Sequence, residues 1–307
     1  MINFNNGTLR VQGHWLKPTN SPVPPDPYNP LGLPPYTMRL KYRQGDTPTP
    51  RQSVPEETYT LVDAEENIWD YKYENPDWSY ALTNQRAGNE SLIAVLGANT
   101  TGVTDMSYLF TYDEELTICN IFDTSNVTEM INMFTDCTAL TSVPLFDTSS
   151  VTDMTYMFRS CQSLTSVPLF DTSNVISMFG TFNECYSLNS VPLFDTSKLE
   201  RMDEMFMNCI SLTSVPLFNT VNVKYMLNAF NNCSSLTSIP LFDTSKVTDM
   251  FRMFYQCTNV QSGALALYQQ ASSQTTPPTS HNQTFYNCGS NTTTGSAELA
   301  QIPSGWK

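Results

Sequence analysis

One interval governs the middle of this chain. Phe122, Phe146, Phe170, Phe194, Phe218 and Phe242 are evenly spaced, and Cys137, Cys161, Cys185, Cys209, Cys233 and Cys257 keep the same interval. Two further ladders share the period, one running from Met106 to Met250 and the other from Phe110 to Phe254. A unit this short cannot bury an apolar face by itself, so copies must stack and share one core. The register opens near Val103 and fades after Val260, which separates an N-terminal region, a repeat region and a C-terminal tail.

One unit begins at Val127 and reads VTEMINMFTDCTALTSVPLFDTS. Val127, Met130, Met133, Phe134 and Cys137 stand at i, i+3, i+6, i+7 and i+10, a spacing that predicts a short helix. Leu140, Val143 and Leu145 fall in a short extended piece, which Pro144 and the DTS group end. Helix, strand and turn in each copy make the expected class α/β: a solenoid of about seven 24-residue coils, with short parallel strands and short helices on the outer face. At ~4.8 Å per coil the stack is roughly 34 Å long.

The pattern MFxxCxxLxxVP, carried by Met133, Phe134, Cys137, Leu140, Val143 and Pro144, resembles the BspA-like leucine-rich repeats. The FDTSxVTxM element is similar to the variety of that group found in bacterial surface proteins, mycoplasmas, gut bacteria and their phages. The resemblance spans the repeat region. It implies a curved right-handed leucine-rich-repeat solenoid with a role in adhesion or recognition at cell surfaces, and no catalysis. Typical surface members carry a signal peptide or an anchor. The opening MINFNNGTLRVQGHW has no basic stretch, apolar stretch or cleavage site of that kind, and the first cysteine is Cys119. The expectation is therefore a phage virion surface component made in the cytoplasm, with a bacterial cell surface as the alternative.

Charge and composition narrow the function classes. Lys and Arg number 15 against 29 Asp and Glu, a formal charge of −14, which disfavours nucleic acid as a partner because phosphate recognition needs clustered positive charge. No apolar run approaches the ~18 residues of a membrane span, so membrane insertion is not expected. The two histidines, His14 and His281, offer little material for general-base or metal chemistry. The cysteines show no CxxC pair and no histidine lies within the repeats, so zinc spacing is lacking. In-register thiols ~4.8 Å apart with parallel Cβ vectors also sit just beyond disulfide reach, and the ladder reads as small buried side chains. Asp123, Asp147, Asp171, Asp195 and Asp243 form a carboxylate column that can either collect calcium or make Asx turns and caps. Asn219 stands in the same column, keeps the capping geometry and lacks the charge, which favours capping. No enzyme activity, cofactor or metal is expected.

The outer face carries the candidate site. While the apolar stripe barely changes, one neighbouring position runs Ser107, Ile131, Thr155, Phe179, Asp203, Leu227, Phe251, and another runs Tyr108, Asn132, Tyr156, Gly180, Glu204, Asn228, Arg252. Large apolar and aromatic side chains facing solvent suggest recognition, whereas drift at unconstrained positions or packing against the N-terminal region is the plainer reading. The binding candidates are Tyr156, Phe179, Tyr186, Met207, Ile210, Tyr225 and Phe251, with a protein or glycan on a host cell as partner. A purely structural spacer or decoration protein is the competing class. The Ser142, Ser166, Ser190, Ser214 and Ser238 column makes a uniform uncharged surface that discriminates nothing.

At the N-terminus, prolines crowd residues 18–55, and residues 1–35 read as an extended arm that docks on other virion proteins or serves as a flexible leader. Strand candidates at 36–42 and 67–73, followed by ESLIAVLG, make 36–102 a small α+β cap with Trp69 and Trp78 in its core. The repeats occupy 103–263. Residues 264–307 form a capping segment, with a helix at GALALYQQASS and a degenerate repeat copy at TFYNCGS, where His281 lies in a polar loop.

Overall fold

A computed structural model describes residues 4–5, 8–11, 14–16, 26–44, 46, 59–65, 67–79, 81 and 92–307. Within the repeats, backbone N–H groups alternate between two destinations. Those of Met106, Tyr108, Phe110 and Tyr112 donate to the carbonyls of Glu129, Ile131, Met133 and Thr135 in the next repeat, at 2.8–2.9 Å. Those of Leu109, Thr111 and Asp113 donate three residues back, to Met106, Tyr108 and Phe110, at 3.2–3.3 Å. An α-helix requires each N–H to reach four residues back along its own segment. Residues 103–263 therefore form tandem turns in place of the expected short helices. Two positions per repeat adopt a left-handed backbone, for example Asn132 and Asp136 (φ 55° and 61°) and Asn228 and Asn232 (φ 54° and 59°). Turns of three and four residues place Met130, Met133, Phe134 and Cys137 inward just as a helix would, so the apolar spacing is the same for both.

The expected strand at LTSVP is likewise replaced. Repeats meet through single-residue parallel bridges that run Asp105, Glu129, Asp153, Ser177, Arg201, Tyr225, Asp249, each one repeat on from the last. On the far side of the repeat, Thr165, Thr213 and Thr237 donate their N–H groups to Thr141, Asn189 and Thr213 at 3.1–3.3 Å. The N–H of Phe146 turns back on the carbonyl of Pro144, 3.0 Å away, and the same bond recurs from Phe170, Phe194, Phe218 and Phe242 at 2.9–3.0 Å. A bond from i+2 to i is a γ-turn, here centred on Leu145 and its counterparts.

The core is columnar. Rings of Phe110, Phe134, Phe158, Phe182, Phe206, Phe230 and Phe254 stack with centroids 5.0–5.8 Å apart. A second column interlocks with it, as Phe158 with Phe170 at 6.0 Å and Phe182 with Phe194 at 6.2 Å. Each buried ring contributes about 1.5–3 kcal/mol by removal from water, and ring pairs add about 0.5–1.5 kcal/mol. The cysteines lie in the same core, all buried and unpaired as thiols.

The DTS group joins copies edge to edge. Oδ1 of Asp147 accepts the Ser149 N–H at 3.0 Å, and Asp123, Asp171, Asp195 and Asp243 do the same for Ser125, Ser173, Ser197 and Ser245 at 2.8–3.0 Å. Asn219 substitutes through its Oδ1 to the Val221 N–H at 3.3 Å. These are Asx turns. The intervening threonine is buried and reaches the next copy: Thr148 Oγ1 donates to the Asp171 carbonyl at 2.7 Å and Thr172 to that of Asp195 at 2.8 Å.

N-terminal to the repeats, β1 (Phe4–Asn5), β2 (Thr8–Val11) and β3 (His14–Leu16) form an antiparallel sheet. Strands β4 (Thr37–Tyr42), β5 (Tyr59–Glu65), β6 (Ile68–Tyr73), β7 (Leu92–Asn99) and β8 (Ile118–Cys119) form a five-stranded mixed sheet in the order β5-β6-β4-β7-β8. The pairing is antiparallel except between β7 and β8, where Ala94 faces Ile118 and Val95 faces Cys119. Those partners are one repeat length apart, and β8 lies within the first repeat, so the sheet continues into the repeats in their own register. The described residues between 36 and 102 hold strands and turns with no helix among them, and residues 47–58 and 82–91 of the α+β cap expected there lie outside the described residues. Trp78 is fully buried, and Trp69 packs partly buried against the same core. Of the proline-rich arm, Pro18, Pro22, Pro24, Pro25, Pro48, Pro50 and Pro55 lie outside the described residues. Residues 26–35 form turns, with Asn29 Oδ1 accepting the Leu33 N–H at 2.8 Å.

Past the repeats, helix α1 (Ala264–Ser272) is inserted, so the bridge from Asp249 reaches Ser280, further along the chain than one repeat. The degenerate copy then resumes the stack, with Phe285 on Phe254 at 6.1 Å and Cys288 buried. Helix α2 (Thr293–Gln301) starts with Thr292 Oγ1 accepting the Gly295 N–H at 3.0 Å. The ring of His281 stacks on Trp306 at 4.2 Å, so this histidine packs at the end of the stack. The chain is thus a tandem-repeat protein with a mixed sheet at its start and, among the described residues, few helices, all beyond the repeats.

Candidate functional site

The tandem turns present residues of successive repeats as parallel columns. In the bridge column the side chains run Asp105, Glu129, Asp153, Ser177, Arg201, Tyr225, Asp249, and the charge reverses once, at Arg201. Its guanidinium carbon lies 5.0 Å from the ring centroid of Phe179 and 5.6 Å from that of Tyr225. The Arg201 Nε donates to Asp203 Oδ2 at 3.1 Å, and Asp203 Oδ1 accepts the Leu227 N–H at 3.1 Å. The Asp203 side chain is 3% exposed while that of Arg201 is 50% exposed, so a buried carboxylate fixes one edge of the guanidinium and leaves the rest in water. Burial pushes the Asp203 carboxyl above its ordinary range, against the lowering effect of Arg201.

Tyr156 extends the group. Its ring meets Phe179 edge-on at 4.8 Å, the Arg159 guanidinium lies 5.5 Å from its centroid, and its hydroxyl is 3.5 Å from Glu204 Oε2. Asn183 Nδ2 donates to that same Glu204 oxygen at 3.1 Å. Asn183 Oδ1 is buried with no donor. Gly180 opens the space: a Cβ there would collide with the Tyr156 ring. Burial, and next the charge of Glu204, raise the Tyr156 hydroxyl above its ordinary value.

Of the residues singled out from sequence, Tyr156, Phe179 and Tyr225 come together around Arg201, and Tyr225 is 42% exposed. Phe251 belongs to a second group, with Arg252 4.9 Å from its ring and a cleft shared with Asn282, Gln283, Ser304, Gly305 and Lys307. Met207 is half-buried in the column of Arg159 and Asn183. Tyr186 and Ile210 form a separate column, in which Tyr186 is half-buried and Ile210 exposed. Arg201, Asp203, Glu204 and Gly180 are the members that the aromatic pattern passes over. The sequence signal for Arg201 is the charge reversal in its column.

The other columns are structural. Each repeat thiol from Cys137 to Cys257 donates to a phenylalanine carbonyl of the preceding repeat at 3.0–3.1 Å. Among the described residues no cluster of three or more His, Cys, Asp or Glu is arranged to hold a metal, and no helix is long and apolar enough to cross a membrane. In the upper bridge column burial, then Asp105 and Asp153, raise the Glu129 carboxyl above its ordinary range.

A model of the family described as "Mycoplasma protein of unknown function, DUF285" matches the chain at residues 83–192, 165–268 and 189–295. No curated protein matches the chain, and no solved structure does. The three overlapping matches follow the repeat and together cover more than half of the sequence, so the chain belongs to the DUF285 family of tandem-repeat proteins.

Proposed function

We propose that the repeats form a leucine-rich-repeat solenoid of the BspA-like kind, about seven coils long, that serves as a noncatalytic recognition surface. The observation that carries this reading is the Arg201 group: a guanidinium held by a buried carboxylate between two rings, with half of its surface in water. Aromatic faces beside fixed planar polar groups suit both a sugar ring and a protein loop. A glycan or a protein on a host cell surface is therefore the ligand class this arrangement suits. The carrier we propose is a phage virion, on the strength of the repeat's resemblance.

The test is binding of the labelled full chain to an array of bacterial surface polysaccharides and to intact bacteria. Arg201→Ala and the pair Phe179→Ser, Tyr225→Ser should each weaken binding about tenfold or more while the circular dichroism spectrum stays native, with Arg201→Ala lowering Tm because the buried Asp203 loses its cation. Equal binding by these variants would remove the site from the Arg201 group. A chain that binds nothing on either panel would favour a rigid spacer.

A further inference from the structure

The cleft beside Phe251 lies apart from the Arg201 group and differs from it in charge. It forms where the last full repeat, the degenerate copy and residues 304–307 meet, and its volume is about 370 Å³, within the range of small-molecule sites. The segment that closes it is anchored from beneath. Trp306 is buried, its ring stacks on His281 at 4.2 Å, and its carbonyl accepts the Phe285 N–H at 2.8 Å.

Two cations and no Asp or Glu line this cleft, in a chain of net charge −14. Arg252 Nε donates to Gln283 Oε1 at 2.7 Å, and the guanidinium carbon lies 4.9 Å from the Phe251 centroid and 5.0 Å from that of Tyr255. Lys307 Nζ donates to the Leu299 carbonyl at 2.9 Å. Both acceptors are neutral, so they orient the cations and leave their charge uncompensated, whereas Arg201 is oriented and neutralised by the Asp203 carboxylate. Among the described residues neither Arg252 nor Lys307 stands in an ion pair, and neither Nη of Arg252 donates a hydrogen bond. The carboxylates nearest to them along the chain hold backbone groups and line no part of the cleft: Asp249 Oδ1 accepts the Phe251 N–H at 2.9 Å, and Glu298 Oε2 the Leu265 N–H at 3.1 Å. The amide of Asn282 and the hydroxyl of Ser304, both on exposed residues, complete the lining.

We propose that this cleft binds an oxyanion, a carboxylate or a phosphate, carried on a small hydroxylated ligand. The two Nη groups of Arg252 make a planar fork that takes two oxygens of one oxyanion, and Lys307 adds a second charge as a point donor. Asn282 and Ser304 offer partners to hydroxyls on the same ligand, and the Phe251 ring offers apolar surface to its carbon skeleton.

Saturation-transfer NMR on the full chain, titrated with glucuronate, glycerol phosphate, glucose and glycerol, reads the site. At least one anion should bind, with its neutral counterpart about tenfold weaker or worse. Glucuronate alone assigns a carboxylate, glycerol phosphate alone a phosphate, and binding of both assigns a site that reads the oxyanion itself; each result supports the proposal. Arg252→Gln should weaken the bound anion about tenfold or more with native circular dichroism. Arg252→Lys keeps the charge and loses the fork, so it should weaken binding less, and added salt should weaken the wild type. Lys307→Gln, which leaves the Arg252 fork in place, should also lower the affinity. Failure of both anions to bind overturns the proposal, as does glucose binding as tightly as glucuronate, or an affinity that Arg252→Gln leaves unchanged. Arg201→Ala should leave the anion's affinity as it is, so the site stands apart from the recognition reading; a loss in that variant would move the anion to Arg201 and overturn the proposal equally.

Discussion

The thiol of Cys161 donates to the carbonyl oxygen of Phe134 in the preceding repeat, 3.1 Å away. That carbonyl also accepts the N–H of Cys137, again at 3.1 Å, so one oxygen ties a turn within its own repeat and the repeat that follows. Cys161→Ala keeps the N–H partner and loses the thiol, leaving a small void between two phenylalanine columns. The expected cost is about 1–2 kcal/mol, read as a shift of the denaturant midpoint at constant slope. A change in slope would mean that the repeats no longer unfold as one unit.

Burial raises the repeat thiols well above the ordinary cysteine value, and all eight cysteines are buried. An aromatic disulfide reagent at neutral pH should therefore titrate close to none in the native protein and all eight in denaturant. Fast native reaction of even one ladder cysteine would show that the stack opens locally on the timescale of the assay.

Gly180 has φ +58°, but this is not why glycine stands there, since Tyr156, Glu204 and Arg252 adopt φ 54–55° at the equivalent position of other repeats. The reason is the Tyr156 ring, which occupies the space a Cβ would need. Gly180→Ala should cost about 1 kcal/mol or more and push Tyr156 off Phe179. In a Tyr156→Ala background the same change should cost less than about 0.5 kcal/mol, a coupling that a double-mutant cycle measures. Equal costs in both backgrounds would place the strain in the backbone.

The repeat, its core columns and the Asx turn are legible in the sequence because a translation by one repeat copies every packing role along the chain. Asn219 separates capping from charge, and its Oδ1 accepts the N–H two residues on, just as the aspartates do. The helix expectation fails at Asn132 and Asp136: tandem turns share the helical spacing of inward residues, and only the left-handed residues betray them. Strand alternation places Leu145 with Val143, and the bond from Phe146 to Pro144 breaks that alternation and turns Leu145 outward. Phe251 shares a column with Phe179 in sequence, yet its partner in space is Arg252 and not Arg201. Which neighbouring columns lean together is decided by individual side chains, which a column pattern does not encode.

Stability should depend on acid in two opposite steps. Hydrogen bonds from Ser173, Ser197 and Ser245 hold the carboxyls of Asp171, Asp195 and Asp243 below the ordinary value of 3.8. A depressed folded value means that the unfolded chain binds protons more readily, so this stabilisation is complete above the ordinary value and is lost as pH falls through the lowered one. Asp203 has the reverse sign, because burial raises it. Its charged form is disfavoured in the folded protein, so its contribution improves as pH falls from neutral through the raised value and levels off at the ordinary one. The melting temperature should therefore rise as pH falls from neutral towards the ordinary carboxylate range and fall steeply below it. Asp203→Asn preserves the acceptor for the Leu227 N–H and removes the titrating proton, so its profile should be flatter on the upper limb and unchanged on the lower. Asp195→Asn should flatten the lower limb alone, since Asn219 shows that an amide makes the same turn. Parallel profiles for wild type and Asp203→Asn across the whole range would mean that Arg201 cancels the effect of burial at Asp203.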